Sequence, residues 1–424
     1  MQTLAVIGSG IAGLSCAYFL KDRFDLTLFE RNDYPGGHTN TVTVEGPEGA
    51  LSIDTGFMVY NRVTYPNLIR LFDELGVETQ PTSMSFSVQY RPLNLEFSGS
   101  SLNHLFAQRK NLFNPRYIRM LLSVNRFNQD AVEALNDPAY EEYTVLRYVT
   151  ERRYGDDFLN AYLIPMSSAV WSTPPEKMLS FPARTLIRFF HNHGFLGLHT
   201  QHPWRTVTGG ARSYVQKMTA GWRDKIRLNA AVSGVRRNEG RVDVTLEDGS
   251  RRAFDRVIIA SHADQALRML ADPTPLERGL LSAFKYQYNK TLLHRDASVM
   301  PRTKRAWSSW NYAADRAADG SVKPSVHYWM NSLQDLPGRE QYFVSLNAAG
   351  IDPAKVVRTI DYEHPLFDLG ALIAQKELPG LNRAGEETST YYCGSYFKYG
   401  FHEDALSSAV ELCRQILKEP LWKN

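Results

Sequence analysis

Val6-Ile7-Gly8-Ser9-Gly10-Ile11-Ala12-Gly13 stands near the start of the chain, between the apolar run Leu4 to Ile7 and the amphipathic run Leu14 to Leu20. An apolar strand that turns through glycines into a helix is the setting in which G-x-G-x-x-G binds a dinucleotide. There Gly8 makes the tight turn, Gly10 lets the backbone approach a pyrophosphate, and Gly13 lets the helix pack closely on the strand. The amides running from Ser9 through Ile11 and Ala12, with the helix dipole, hold the phosphate charge. Glu30 closes a second strand, Leu26-Thr27-Leu28-Phe29, about 20 residues past the loop, where a carboxylate accepts ribose hydroxyls. Loop, flanking elements and acidic residue together predict an adenine dinucleotide.

NAD and FAD share the ADP half, so the loop does not separate them. The next segment, Arg31-Asn32-Asp33-Tyr34-Pro35-Gly36-Gly37-His38-Thr39, does. It resembles the R-x-x-x-x-G-G-R-x-x-[ST] extension of the flavin amine oxidase, protoporphyrinogen oxidase and phytoene desaturase superfamily. The resemblance implies FAD, with Arg31 opening the segment and Gly36 and Gly37 close to the pyrophosphate and ribityl chain. His38 replaces the usual arginine, which implies a weaker or pH-dependent phosphate contact. Asp54-Thr55-Gly56-Phe57-Met58 is similar to the family segment under the isoalloxazine ring, so Thr55, Gly56, Phe57 and Met58 are expected at the flavin.

Three more matches follow in the family's order. Thr208-Gly209-Gly210 to Tyr214 resembles the helix that precedes the returning nucleotide-domain strands, with the backbone of Val232 facing the adenine. Val257-Ile258-Ile259-Ala260-Ser261-His262 resembles the strand that comes next, and Ser261 is expected at the cofactor. Tyr391 to Ser395 leads into Gly400-Phe401-His402-Glu403-Asp404-Ala405, similar to the C-terminal flavin motif. Gly394, Ser395, Phe401, His402, Glu403 and Ala405 are the contacts it implies, and donors at that helix start would stabilise charge on the reduced flavin. Cys393 does not reproduce the motif that binds FAD covalently in some amine oxidases, so non-covalent FAD is expected.

With 424 residues the chain is long enough for two domains. Charged residues make up 22% and the net charge is only +3, so nucleic acid is not an expected partner and any basic function must be local. Cys16, Cys393 and Cys413 show neither metal spacing nor a disulfide framework, which suits a reducing cytoplasm. No secretory leader is legible at the N-terminus, and no apolar run reaches the roughly 18 residues of a membrane span. A cytoplasmic protein, peripheral on the inner membrane, is the expectation. His191 and His193 lack a third ligand at suitable spacing, so no metal is expected.

The nucleotide motifs fall in residues 1–80, 205–270 and 385–424, which predicts a discontinuous FAD-binding domain. Residues 81–204 and 271–384 would form the inserted substrate domain. The first begins with the alternating strand Ser83 to Tyr90; the second holds strand-like Lys290 to His294 and Gln341 to Leu346. The expected fold class is α/β with α+β: a Rossmann-type, amine-oxidase-like FAD domain carrying a substrate domain of mixed sheet and helices. The arginines of Arg236-Arg237 and Arg251-Arg252 flank a segment with an Asp248-Gly249 turn, which reads as a solvated hairpin rather than a basic patch.

Asp54 to Leu68, Leu293-His294-Arg295-Asp296, Ala306 to Tyr312 and Tyr399 to Leu406 together resemble a bacterial branch of amine-oxidase-like flavoproteins. That branch is associated with cyclopropane-fatty-acid-synthase-like methyltransferases, and the resemblance implies desaturation of methylated fatty acyl chains. A lipid or fatty acyl substrate and a methyltransferase partner are the expectations it carries. The alternatives are an amine oxidase, an isoprenoid desaturase, or a non-catalytic flavoprotein partner of a lipid methyltransferase. Phe401 stands where amine oxidases place a cage tyrosine, keeping the ring without the hydroxyl. The basic amphipathic stretch 102–127 would contact a membrane surface, or bury one face as an ordinary domain helix. Arg184 to Leu196 would be the lip of an acyl tunnel or simply core.

Desaturation needs an acceptor for the proton beside the departing hydride. Tyr60, His294, His327 and Tyr396 are the candidates of suitable chemistry. Lys290 opens a strand where amine oxidases place a lysine that reaches the flavin through water.

Overall fold

Five short parallel strands, in the order Ile226–Arg227, Asp25–Phe29, Thr3–Ile7, Arg256–Ile259 and Thr390–Tyr392, make the sheet that carries the glycine loop. They come from three distant parts of the chain. Near-continuous apolar sequence in the central strands follows from burial on both faces. Thr3–Ile7 pairs with Asp25–Phe29 on one side and Arg256–Ile259 on the other, so the strand order reverses at its carboxyl end. A doubly wound sheet binds its ligand at such a switch point, and Gly8 is the next residue. The structure, a computed structural model, describes every residue except 47–48, 198–199, 239, 317–321 and 423–424.

The first helix, Ile11–Leu20, is apolar almost all round because it lies between this sheet and the last helix, His402–Leu417. A second sheet of seven strands runs Val356–Leu366, Lys285–His294, Phe343–Leu346, Val322–Trp329, Trp310–Arg316, Phe86–Tyr90 and Leu95–Ser98. All neighbours are antiparallel except Trp310–Arg316 with Phe86–Tyr90. The architecture is therefore a Rossmann-type parallel sheet combined with a mixed sheet and helices. Among those helices, Pro115–Asn136 is capped by Asn114, whose side chain accepts from the amides of Arg116 and Tyr117. Helix Ala183–Asn192 buries Leu186, Ile187, Phe189 and Phe190 along one face.

Two readings change with the structure. Arg237 is no solvated hairpin residue: its guanidinium donates to Glu277 at 2.5 Å, and Glu277 is buried. Glu403, expected at the cofactor, does not line the large cavity beside the glycine loop. Its carboxylate accepts from the amides of Asn67 and Leu68, each at 2.9 Å, and so holds the start of helix Pro66–Leu75, whose N-cap residue, Tyr65, offers no side-chain bond.

The seven-stranded sheet also contains a directed polar chain. The Asp296 amide donates to His294 Nδ1 at 3.0 Å, which leaves the proton on Nε2 to be donated to Ser345 Oγ at 2.7 Å. Ser345 then donates to His327 Nδ1 at 2.7 Å, and His327 Nε2 donates to Ser325 Oγ at 2.9 Å. Burial holds the two imidazoles at about 4 and about 3, well below an unperturbed histidine, so both are neutral at pH 7. A histidine depressed in the fold stabilises above its unfolded value, and that contribution is lost as pH falls towards the folded value. Asp54 and Asp404, raised by burial to about 7, act in the opposite sense. The comparison with a variant therefore isolates the histidine. Between pH 7 and pH 5 the parent is expected to lose about 2 kcal/mol more than His327→Gln in denaturant unfolding; parallel pH profiles would refute the neutral chain.

Candidate functional site

A cavity of about 930 Å³ opens where the parallel strands end and runs towards the seven-stranded sheet. One corner is the glycine loop. Gly8, at φ +99°, has room only for hydrogen: a Cβ there would lie 2.8 Å from the Ala260 carbonyl oxygen. A Cβ on Gly13 would lie 1.9 Å from the Gly8 oxygen, so Gly13 lets the helix close on the turn and does not itself line the cavity. Gly10 differs. A Cβ there meets no protein atom within 4 Å and would project into the cavity. That is the cradle a pyrophosphate needs, with Ser9, Ile11 and Ala12 beside it.

Glu30 is buried and already committed on both oxygens. Oε2 accepts from the Ser9 amide at 2.9 Å and the Ser9 hydroxyl at 2.5 Å; Oε1 accepts from the Asn32 amide at 2.9 Å. A carboxylate has about four acceptor positions, so ribose hydroxyls can still be accommodated. Gly36 and Gly37 lie against this turn: the Gly36 amide donates to the Ser9 carbonyl, and a Cβ on Gly37 would come 3.1 Å from Gly10 Cα. Arg31, Val232 and Ser261 line the same end. Among the described residues, every charged one in the lining comes from this loop region, the neighbouring hairpin, helix Ala263–Met269 or the edge strand Val356–Leu366: Glu30, Arg31, Glu247, Arg268, Asp361 and Glu363.

Further along, Gly56, Phe57 and Met58 meet Gly394, Ser395, Phe401, His402 and Ala405. Phe57 stacks on His402 at 3.8 Å and 11°. His402 Nε2 is 2.9 Å from the Tyr214 hydroxyl, and burial holds its imidazole at about 3, hence neutral. His38 stacks on Tyr362 at 4.8 Å. Burial, with smaller contributions from the neighbouring His364, His262 and His402 rings and the Arg31 guanidinium, holds His38 well below the ordinary value, so a neutral ring stands where the family has a guanidinium. Thr55 lies outside the lining. Its hydroxyl joins the Asn40 carbonyl and the Tyr362 hydroxyl, and so braces the segment from behind.

Of the proton-acceptor candidates, only Tyr396 lines the cavity. Burial raises its hydroxyl well above the ordinary tyrosine value, so it holds its proton and is no base. His294 and His327 are consumed by the chain described above. Tyr60 donates to Thr79 at 3.1 Å and packs on Tyr65 and Phe72. Lys290 points to solvent. On a strand the adjoining residues face the other way, and Asn289 and Thr291, on either side of Lys290, are buried.

Asn289 brings in a residue the sequence did not single out. Its Oδ1 accepts from Asn347 Nδ2 at 2.6 Å, which turns its NH₂ towards His364 Nδ1, 2.8 Å away. Nδ1 of His364 is thereby an acceptor and Nε2 carries the proton. His364 lines the cavity, next to His38, with its imidazole held by burial at about 4. The far end of the cavity is aromatic and uncharged: Met84, Trp171, Phe189, Phe195, Trp204 and Trp310 line it. Phe189 stacks on Phe401 at 4.8 Å and lies 4.7 Å from Trp171. These residues come from helices, strands and loops scattered between residues 84 and 310, with no local motif to mark them.

Residues 11–292, more than half of the chain, match the model of the flavin containing amine oxidoreductase family. The chain belongs to that family, and its cofactor is FAD. The 15-cis-phytoene desaturase of Synechococcus elongatus is 37% identical over 76 residues, 18% of this chain and 15% of that one. Three of the chain's matches to curated relatives span 14, 10 and 15% of those proteins' length. Two solved structures share the fold along the whole chain. A CLA-producing fatty acid isomerase from P. acnes has a TM-score of 0.66 at 14% identity, covering 98% of both chains. A putrescine oxidase bound to putrescine has 0.65 at 15%, covering 99% of both. At such identity they speak for the fold alone.

The two glycines of the loop make separable predictions. Gly10→Ala is expected to leave the melting of flavin-free protein unchanged while weakening FAD binding at least tenfold, about 1.4 kcal/mol. Gly13→Ala is expected to lower both, because the helix must shift. Flavin titration and calorimetry of the two variants check this, and equal FAD affinity in parent and Gly10→Ala would contradict the cradle.

Proposed function

With family membership as the premise, we propose that the protein dehydrogenates an apolar substrate, the acyl chain of a lipid, at the aromatic end of the cavity. The observation that carries this reading is that, among the described residues, the elements that build that end contribute no charged lining residue. An alkyl-ammonium substrate would be left there without a carboxylate partner, and burying an unpaired charge is costly. An acyl chain instead gains about 0.8 kcal/mol for each CH₂ it buries. The shared fold of a fatty acid isomerase is compatible with such a substrate.

When bound along the glycine loop and Phe57, FAD supplies a hydride acceptor. The chain's own residues supply the rest. Trp171, Phe189 and Phe401 pack an aromatic wall that excludes water and aligns a chain having no polar group to grip. His364, locked by Asn289, offers an N–H to an acceptor in the cavity. His402 stays neutral, so its remaining ring nitrogen can accept or donate according to the tautomer set at Tyr214.

Anaerobic mixing of the FAD-loaded protein with candidate substrates tests the proposal. Loss of the oxidised-flavin absorbance is expected with phospholipids carrying methylated acyl chains and not with polyamines. Phe189→Asp should slow that reduction at least about tenfold while FAD stays bound. Reduction by polyamines alone would establish an amine oxidase, and reduction by isoprenoids an isoprenoid desaturase. No reduction by any of them would favour a non-catalytic flavoprotein that serves a lipid methyltransferase.

A further inference from the structure

Between Leu102 and Gln129 the chain has five arginines and lysines and no carboxylate, in a protein whose net charge is only +3. The structure divides this stretch into helix Leu102–Leu105, a 3-10 turn Arg109–Phe113 and helix Pro115–Asn136. The long helix buries Tyr117, Met120 and Phe127 on one face. Its opposite face shows Arg119 and Leu122, spaced for one stripe. Large apolar side chains are unusually exposed here: Phe113 at 90%, Leu102 at 66%, Leu122 at 65% and Leu112 at 48%. Arg116 pairs with Asp157, and Arg126 donates to the carbonyls of Arg152 and Arg153. Lys110 and Arg119 have no ion pair among the described residues.

We propose that this surface docks the protein on an anionic lipid bilayer, with Phe113, Leu112 and Leu102 entering the headgroup–acyl boundary and Lys110 and Arg119 meeting lipid phosphates. Exposed aromatic and aliphatic side chains beside unpaired cations are the composition of an interfacial anchor. Charge complementarity selects the occupant, because a neutral surface leaves the cations without counter-charge. No helix among the described residues is long and apolar enough to cross a membrane, so the contact lies in the plane of the surface. The long helix packs against Ala183–Asn192, and Arg184 donates to the Leu135 carbonyl. Phe189 of that second helix lines the aromatic end of the cavity. Docking would therefore tie the bilayer to the helix pair that carries the aromatic end of the cavity.

The purpose of this docking rests on the acyl-chain reading, but docking is measured without turnover, so either can fail while the other stands. The FAD-loaded protein is sedimented with vesicles of phosphatidylcholine alone and of phosphatidylcholine mixed with phosphatidylglycerol. Binding is expected only to the anionic vesicles, weakening with added salt. The double variant Phe113→Ser with Leu112→Ser, and separately Lys110→Glu with Arg119→Glu, should each reduce the bound fraction about tenfold. All four side chains are exposed, and unchanged melting and flavin content would show that the variants fold. Absence of binding to anionic vesicles, or binding that neither variant changes, would overturn the proposal. So would self-association of the parent that Phe113→Ser with Leu112→Ser abolishes, because the surface would then belong to a second copy of the chain.

Discussion

The approach of the first helix to the strands beneath it, permitted by hydrogen at Gly8 and Gly13 and by nothing larger, fixes the rest of the site. Gly13 lies against the Gly8 carbonyl, and Gly8 lies against Ala260 at the end of another strand. This contact joins residues some 250 positions apart and sets where the cavity begins. The last helix packs on the first, so the C-terminal segment reaches the same cavity. Glu403, the second residue of that helix, secures Pro66–Leu75 in turn.

Electrostatically the cavity has three zones. Carboxylates and guanidiniums sit at the nucleotide end, where ribose and phosphate need them. The middle holds imidazoles of His38, His364 and His402, all pushed to the neutral form by burial. Neutral rings offer directed hydrogen bonds without adding charge to a site of low dielectric, where an unpaired charge would be expensive. Beyond them the wall is aromatic. That gradient from charged to neutral to apolar is the physical basis for assigning the nucleotide and the substrate to different ends.

The nucleotide end was legible in the sequence because its signals are local: glycines at fixed spacing, an acidic residue after a strand, a pair of glycines after that. Tertiary packing decided the rest. Lys290 and Asn289 show how little separates the readings, since a shift of one position on a strand exchanges the faces. His294 and His327 had the right chemistry, but lie in a sheet interior where each nitrogen is already used. Glu403 looked like a cofactor contact because it sits inside the flavin motif, yet its side chain turns to a neighbouring helix. Trp171, Phe189 and Trp310 could not be grouped beforehand, because only the folded chain makes them neighbours. The stretch 102–127 was ambiguous between core and surface for a simple reason. It has one face of each kind.

A crystal structure of the protein with its bound flavin tests the central claim most directly. The account predicts the pyrophosphate against residues 8–13, the adenosine ribose at Glu30, and the isoalloxazine ring between Phe57 and the aromatic wall of Trp171 and Phe401. A flavin ring lying instead among Arg268, Asp361 and Glu363 would contradict it, because the uncharged end would then have no reacting partner.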